Sequence, residues 1–276
     1  MNLTTTKLLN NGAKMPIFGL GVFRSKDGEE TYNAVKWALE AGYRHIDTAA
    51  VYGNEASVGR AIKDSGIPRE ELWITTKLWN QEIRNHNEEN AFKQSLEKLG
   101  TDYVDLYLIH WPVREEQGYL RAWAKMEQFN KEGRARSIGV SNYHIHHLED
   151  LLKIANIVPA VNQVECHPEL TQVELVNYCE SKGIAFEPWS PLGAGKLLSD
   201  PILAEIAAKY GKTTAQVILR WDIQRGFINI PKSVHKERIV SNTEVFDFEL
   251  SDEDMQKIFA MNKNIRVGAD PETFPF

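Results

Sequence analysis

Only two cysteines, Cys166 and Cys179, occur in the 276 residues. They are too few for a disulfide framework and lack the spacing of a zinc site, so no metal is expected and a reducing compartment is. No stretch approaches the roughly 18 uninterrupted apolar residues of a membrane-spanning helix. Even the apolar segment 104–113 is broken by Asp105 and His110. The first seven residues put no apolar stretch behind a basic head, which argues against a secretory signal and for a cytoplasmic protein. No run of Lys and Arg is present and the formal net charge is -6, which disfavours nucleic acid and anionic membranes as partners. A small anionic ligand needs only a few local cations and stays compatible. Linkers, low-complexity segments and Pro/Gly-rich boundaries are also missing, so residues 1–276 are expected to form one domain.

What is present is alternation. An Asn-Gly pair at Asn11-Gly12, between short apolar stretches, predicts an N-terminal β-hairpin with a two-residue turn. From Phe18 onward, short apolar runs suited to buried strands fall at 18–21, 45–47, 73–77, 104–110, 137–141, 160–165, 185–188 and 228–231. Segments of helical period fall between or after them, at 29–40, 55–64, 88–99, 120–131, 145–154, 172–181, 214–224 and near 251–260. Thr171, three residues before Glu174, reads as a possible helix cap. Strands apolar on both faces, each followed by a helix, imply a parallel sheet covered by helices. Eight such units close most economically as an α/β fold of the (β/α)8 TIM-barrel type. The alternative, an open doubly wound sheet, wants Gly-x-Gly-x-x-Gly after its first strand, and here Gly19-Leu20-Gly21 runs on into Val22-Phe23-Arg24.

In such a barrel, chemistry gathers at the C-terminal ends of the strands. The second strand ends at Asp47 and is followed by Tyr52; the third ends at Lys77 and the fourth at His110. Singly, each has an ordinary explanation: a packed aromatic, a solvated amine, a satisfied carboxylate. Together they compose a device for polarising a carbonyl. A lysine ammonium lowers the pKa of a nearby tyrosine, an aspartate holds that lysine, and a neutral histidine orients the substrate oxygen.

The stretches His45-Ile46-Asp47-Thr48-Ala49 to Tyr52-Gly53-Asn54-Glu55, Thr75-Thr76-Lys77-Leu78-Trp79, Asp105 to Pro112, Ile138-Gly139-Val140-Ser141-Asn142, Asn162-Gln163-Val164-Glu165, Trp189-Ser190-Pro191-Leu192-Gly193 and Ile230-Pro231-Lys232-Ser233 follow one another in order. From about Gly12 to Met261 the chain resembles the aldo-keto reductase family. The resemblance implies a barrel without a Rossmann domain, NADPH bound across its mouth, and a catalytic tetrad at Asp47, Tyr52, Lys77 and His110 with Tyr52 as proton donor. Histidine rather than glutamate at position 110 favours ordinary carbonyl reduction over reduction of steroid double bonds. The resemblance further implies that Ser141, Asn142 and Gln163 bind the nicotinamide carboxamide and that Trp189 stacks on the ring. Gly21, Val22 and Asp47 fall among the family's cofactor-binding positions, and Ser190, Leu192 and Gly193 in the loop over the pyrophosphate. Lys232, Ser233, Val234 and Arg238 would surround the 2′-phosphate, and Asn242 the adenine; charge-assisted bonds from Lys and Arg suit a phosphate dianion.

Many relatives carry a carboxylate where this chain has Ser241, which weakens the expected adenine contacts. The short C-terminal tail leads to an expectation of an open pocket. Phe23, Tyr52, Trp79, His110 and Trp111, at or just past strand ends, are expected to line it, whereas Trp37, Trp73, Trp123 and Trp221 are read as core. The function expected is NADPH-dependent reduction of a small-molecule carbonyl by a monomer. A nucleotide-sensing interaction subunit, a role some barrels of the family serve, is the alternative from another class.

Overall fold

A computed structural model describes residues 1–113 and 115–274. Strands β1 (Thr6–Leu8) and β2 (Lys14–Pro16) form an antiparallel hairpin. Its connection is not the expected two-residue turn. Leu9 N donates to Ala13 O and Gly12 N to Leu9 O, leaving a three-residue loop in which Gly12 has φ 85°. A third loop residue in the left-handed region is the usual bulged alternative, and glycine takes it without strain.

Seven parallel strands follow in sequence order: β3 (Leu20–Gly21), β4 (His45–Asp47), β5 (Trp73–Leu78), β6 (Val104–Ile109), β7 (Ala135–Ser141), β8 (Val161–Glu165) and β9 (Ala185–Trp189). The eighth expected strand, 228–231, is not a continuous one. It is held by single bridges of Asn229 to Phe18 and Lys232 to Gly21, while Ile228 N donates to Phe186 O on the other side. Pro231 has no N–H to give to a ladder. Its carbonyl still accepts from Gly21 N, so the segment joins β9 to β3 and completes the (β/α)8 fold.

Among the described residues, eleven α-helices accompany the strands: α1 (Glu29–Glu40), α2 (Glu55–Ser65), α3 (Asn80–Arg84), α4 (Glu88–Leu99), α5 (Gly118–Lys131), α6 (Ile145–Leu152), α7 (Val173–Ser181), α8 (Pro201–Tyr210), α9 (Thr214–Gln224), α10 (Lys236–Ser241) and α11 (Asp252–Phe259). The helical period shows why they pack as they do: α1 buries Thr31, Ala34, Val35, Ala38 and Leu39, three and four apart, and turns its charged residues outward. Helix α8 was not expected from the sequence; Asp200 caps it by accepting from Ile202 N and Leu203 N. Thr171 does not cap α7. The cap position is Gln172 at φ 55° with no side-chain bond, and Thr171 instead gives its carbonyl to Arg225 from a fully buried position.

Trp123 and Trp221 are fully buried, Trp73 nearly so, and Trp37 packs against the core from its edge. Both cysteines are buried and unpaired, and burial pushes each thiol up to about 12. Among the described residues no helix is long and apolar enough to cross a membrane.

Candidate active site

Parallel register puts Asp47, the last residue of β4, beside Thr75, while Lys77 lies one pleat further along β5. The lysine therefore reaches across the strand end. Lys77 Nζ donates to Asp47 Oδ1 at 2.7 Å, to the Thr48 carbonyl at 2.8 Å and to the Tyr52 hydroxyl at 3.5 Å. Tyr52 closes the short helical turn Ala50–Tyr52 and remains half-buried. His110 follows β6, with its ring centroid 5.6 Å from that of Tyr52 and 5.2 Å from that of Trp79. The four residues expected to act together are thus brought together.

Their electrostatics differ from the sequence expectation in one respect. Lys77 does favour the Tyr52 phenolate, but burial dominates and Asp47 opposes, so the phenol is held above its ordinary value rather than below it. Tyr52 is held as the neutral phenol. For Lys77, burial pulls the pKa down, yet the Asp47 and Tyr52 partners outweigh it and the net shift is upward. Burial, then the Lys77 charge, holds His110 well below its usual value, so the imidazole is neutral. Its Nδ1 makes no hydrogen bond.

A second group surrounds this one. Ser141 Oγ donates to Gln163 O at 2.7 Å; Asn142 Nδ2 donates to the His110 carbonyl at 2.9 Å and accepts from Trp189 Nε1 at 2.8 Å through Oδ1. Asn142 does this at φ 65°, a conformation asparagine tolerates better than most residues. Gln163 Nε2 donates both to Asp47 Oδ2 and to Glu187 Oε2, each at 2.8 Å. Glu187, fully buried, is a site residue the sequence reading missed. The signal was available: it is a charged residue inside the apolar strand β9.

The residues expected to hold the dinucleotide lie at the same C-terminal end of the barrel. Gly21 ends β3 and Val22 follows it, and a Cβ at Gly21 would stand 2.8 Å from the Ile230 carbonyl, so only glycine fits. The loop after Trp189 is unusual: Ser190, Gly193, Ala194 and Gly195 all have positive φ. Within it Gly193 N donates to Ser190 O and Gly195 N to Leu192 O, so the turn is held by its own backbone. Lys232 and Arg238 are exposed, and neither makes an ion pair among the described residues. Ser233 is buried beside Lys232, Val234 half-buried, and Asn242 buried at the C-cap of α10. Exposed cations that make no ion pair suit the phosphate of a phosphorylated dinucleotide.

The pocket aromatics are divided. Phe23 is half-exposed, 5.0 Å from the Tyr52 ring, and Trp79 flanks His110. Trp111 is covered: Phe274 of the tail stacks on it at 4.6 Å. The tail also lays Gly268 on the Trp189 ring, where a Cβ would meet carbon at 2.4 Å, and Gly268 N and Val267 N donate to Glu165. Short as it is, the tail covers the Trp111 and Trp189 rings.

Tail and barrel also meet at a cluster of His144, His146, His147 and Glu272, whose ligand-type atoms all lie within 4.8 Å of one another. Glu272 Oε1 is 2.9 Å from His144 Nδ1 and 3.3 Å from His146 Nε2. The far nitrogen of His144 takes a bond from Arg266, and Nδ1 of His147 takes the His144 backbone N–H. Glu272 thus ties the tail to this histidine group on the barrel.

A parallel barrel with a buried lysine–aspartate pair beneath a tyrosine defines an oxidoreductase of the aldo-keto type. The Aldo/keto reductase family model matches residues 17–263, and the chain belongs to that family. It is 55% identical to the uncharacterized oxidoreductase YtbE of Bacillus subtilis (strain 168), over 100% of this chain and 99% of the relative. With the glyoxal reductase of the same organism it shares 53% identity, again over 100% and 99%. The crystal structure of a Gox0644 mutant in complex with NADPH superposes with a TM-score of 0.94 at 42% identity, covering 99% of each chain.

Proposed function

We propose that this oxidoreductase reduces small aldehydes and ketones with NADPH, that Tyr52 supplies the proton, and that residues 1–276 work as one monomeric domain. The observation that carries the reading is Lys77 Nζ, which bridges the Asp47 carboxylate and the Tyr52 hydroxyl at the strand ends. NADPH, when bound, supplies the hydride that reaches the carbonyl carbon. Everything else falls to the chain's own residues.

Tyr52, neutral because buried, passes its proton to the carbonyl oxygen, so that negative charge does not build up there. Lys77 stabilises the phenolate left behind, and Asp47 keeps the ammonium in place. Neutral His110 donates a hydrogen bond to the substrate oxygen and orients it toward Tyr52. Ser141, Asn142 and Gln163 hold the carboxamide, and Asn142 ties that grip to the His110 backbone. Trp189 provides the stacking face, while Lys232, Ser233 and Arg238 grip the 2′-phosphate. Phe23 and Trp79 supply an aromatic wall, with Trp111 behind Phe274, which suits compact or flat carbonyl substrates. Identity of 53% with a glyoxal reductase supports small aldehydes as the substrate class.

The test is NADPH consumption with glyoxal, methylglyoxal and benzaldehyde. Turnover with at least one supports the reading; tight NADPH binding with no turnover across the panel would favour a nucleotide-sensing subunit instead.

A further inference from the structure

Two buried ionisable groups beneath the tetrad, Glu187 and His45, have no part in the proton transfer described above. Glu187 shares a single amide nitrogen with Asp47. Both hydrogens of Gln163 Nε2 are committed to carboxylate oxygens, at 2.8 Å each, so the Gln163 carbonyl oxygen is turned away from both acids. The result is a continuous chain from Glu187 through Gln163, Asp47 and Lys77 to Tyr52.

The charges facing Glu187 come from several elements: Asp47 and His45 from β4, Lys77 from β5, and Tyr52 from the turn beyond β4. Asp47 balances Lys77 in a 2.7 Å pair. Burial and the Lys77 charge pull His45 down to about 3, so it is neutral and adds nothing. Burial, then the Asp47 charge, pushes Glu187 up to about 8 against the Gln163 hydrogen bond and Lys77. One negative charge in the barrel interior can therefore be switched on near neutral pH. Its other oxygen, Oε1, makes no hydrogen bond and lies 3.8 Å from His45 Nε2.

We propose that Glu187 sets the balance between oxidised and reduced cofactor: as the neutral acid it leaves the site's charge even, and as the carboxylate it favours the cationic ring of NADP+ over the neutral ring of NADPH. This rests on the reading that Gln163 meets the nicotinamide carboxamide. At neutral pH the protonated acid withholds that attraction from the product, which speeds exchange of spent cofactor; above its titration the oxidised form is retained.

The experiment measures dissociation constants of NADPH and NADP+ from pH 6 to 9.5 by cofactor emission and tryptophan quenching, without substrate. Taking the ratio of the two removes the titration of the 2′-phosphate, which both share. In the wild type the ratio of the NADP+ constant to the NADPH constant falls about tenfold as Glu187 ionises, equivalent to one unit between its pKa values in the two complexes. In Glu187→Gln, which still offers Gln163 a carbonyl acceptor, the ratio stays flat at its low-pH value. If that variant fails to fold, Glu187→Asp replaces it, and the inflection moves rather than disappears. A flat wild-type ratio, or an unchanged slope in Glu187→Gln, overturns the proposal. Gln163→Ala separates the two ideas: if it weakens both cofactors while the wild-type ratio is flat, only the proposal fails. If it changes neither constant, the placement of the nicotinamide fails and the proposal with it.

Discussion

Lys77 Nζ lies 2.7 Å from Asp47 Oδ1, and both side chains are sealed from solvent. A buried ion pair is weak evidence of net stability, but breaking one by removing a single partner is costly, because the remaining charge is stranded. Asp47→Asn should therefore destabilise the protein by about 3–5 kcal/mol in urea unfolding. Adding Lys77→Met to it should recover a large part of that loss.

Asp222 provides a test of buried charge away from the site. Both its carboxylate oxygens lack hydrogen bonds, Arg225 is 4.0 Å away, and burial raises its pKa to about 8. A carboxyl raised in the folded state binds more protons folded than unfolded between its ordinary value and about 8, so stability falls as pH rises through that window. Glu187 contributes in the same sense. Asp222→Asn should make the protein more stable at pH 9 and flatten part of this decline in chemical unfolding. An unchanged slope would mean that Asp222 is not held protonated.

Lys232 and Arg238 are exposed and make no ion pairs among the described residues, so replacing them costs little stability. Lys232→Ala and Arg238→Ala should each raise the Michaelis constant for NADPH about tenfold or more, and that for NADH by less than about twofold, since only NADPH carries the 2′-phosphate. Equal effects on both would put the phosphate elsewhere.

Glu272 fastens the tail through His144 and His146, and the same tail stacks Phe274 on Trp111. Glu272→Ala should speed amide exchange across 266–274 and change the Michaelis constant for aldehydes more than that for NADPH. Full protection of the tail in that variant would show that the clamp is dispensable.

Much of the barrel was readable because both of its signals are local. The helices at 29–40, 88–99 and 214–224 and the strand at 45–47 fall where periodicity places them. Helix α8 was overlooked although its start signal, Asp200 before Pro201, stands in the sequence. The eighth strand was misjudged in kind, since an apolar run cannot form a full ladder around a proline that lacks an N–H. The tetrad was legible as company kept at strand ends. The height of the Tyr52 pKa was not, because it depends on how burial and two opposing charges sum in three dimensions. Glu187 is marked by its charge inside an apolar strand, but its bond to Gln163 and the Glu272 clamp join positions over twenty and over a hundred residues apart, a reach that no local pattern records.

The central claim is that Tyr52 gives up the proton, and Tyr52→Phe tests it most directly, with turnover on a small aldehyde and NADPH affinity measured on the same preparation. The account predicts a loss of about 10²–10⁴-fold in kcat with the NADPH dissociation constant changed by less than about twofold. Turnover within about threefold of the wild type on the same aldehyde would contradict it.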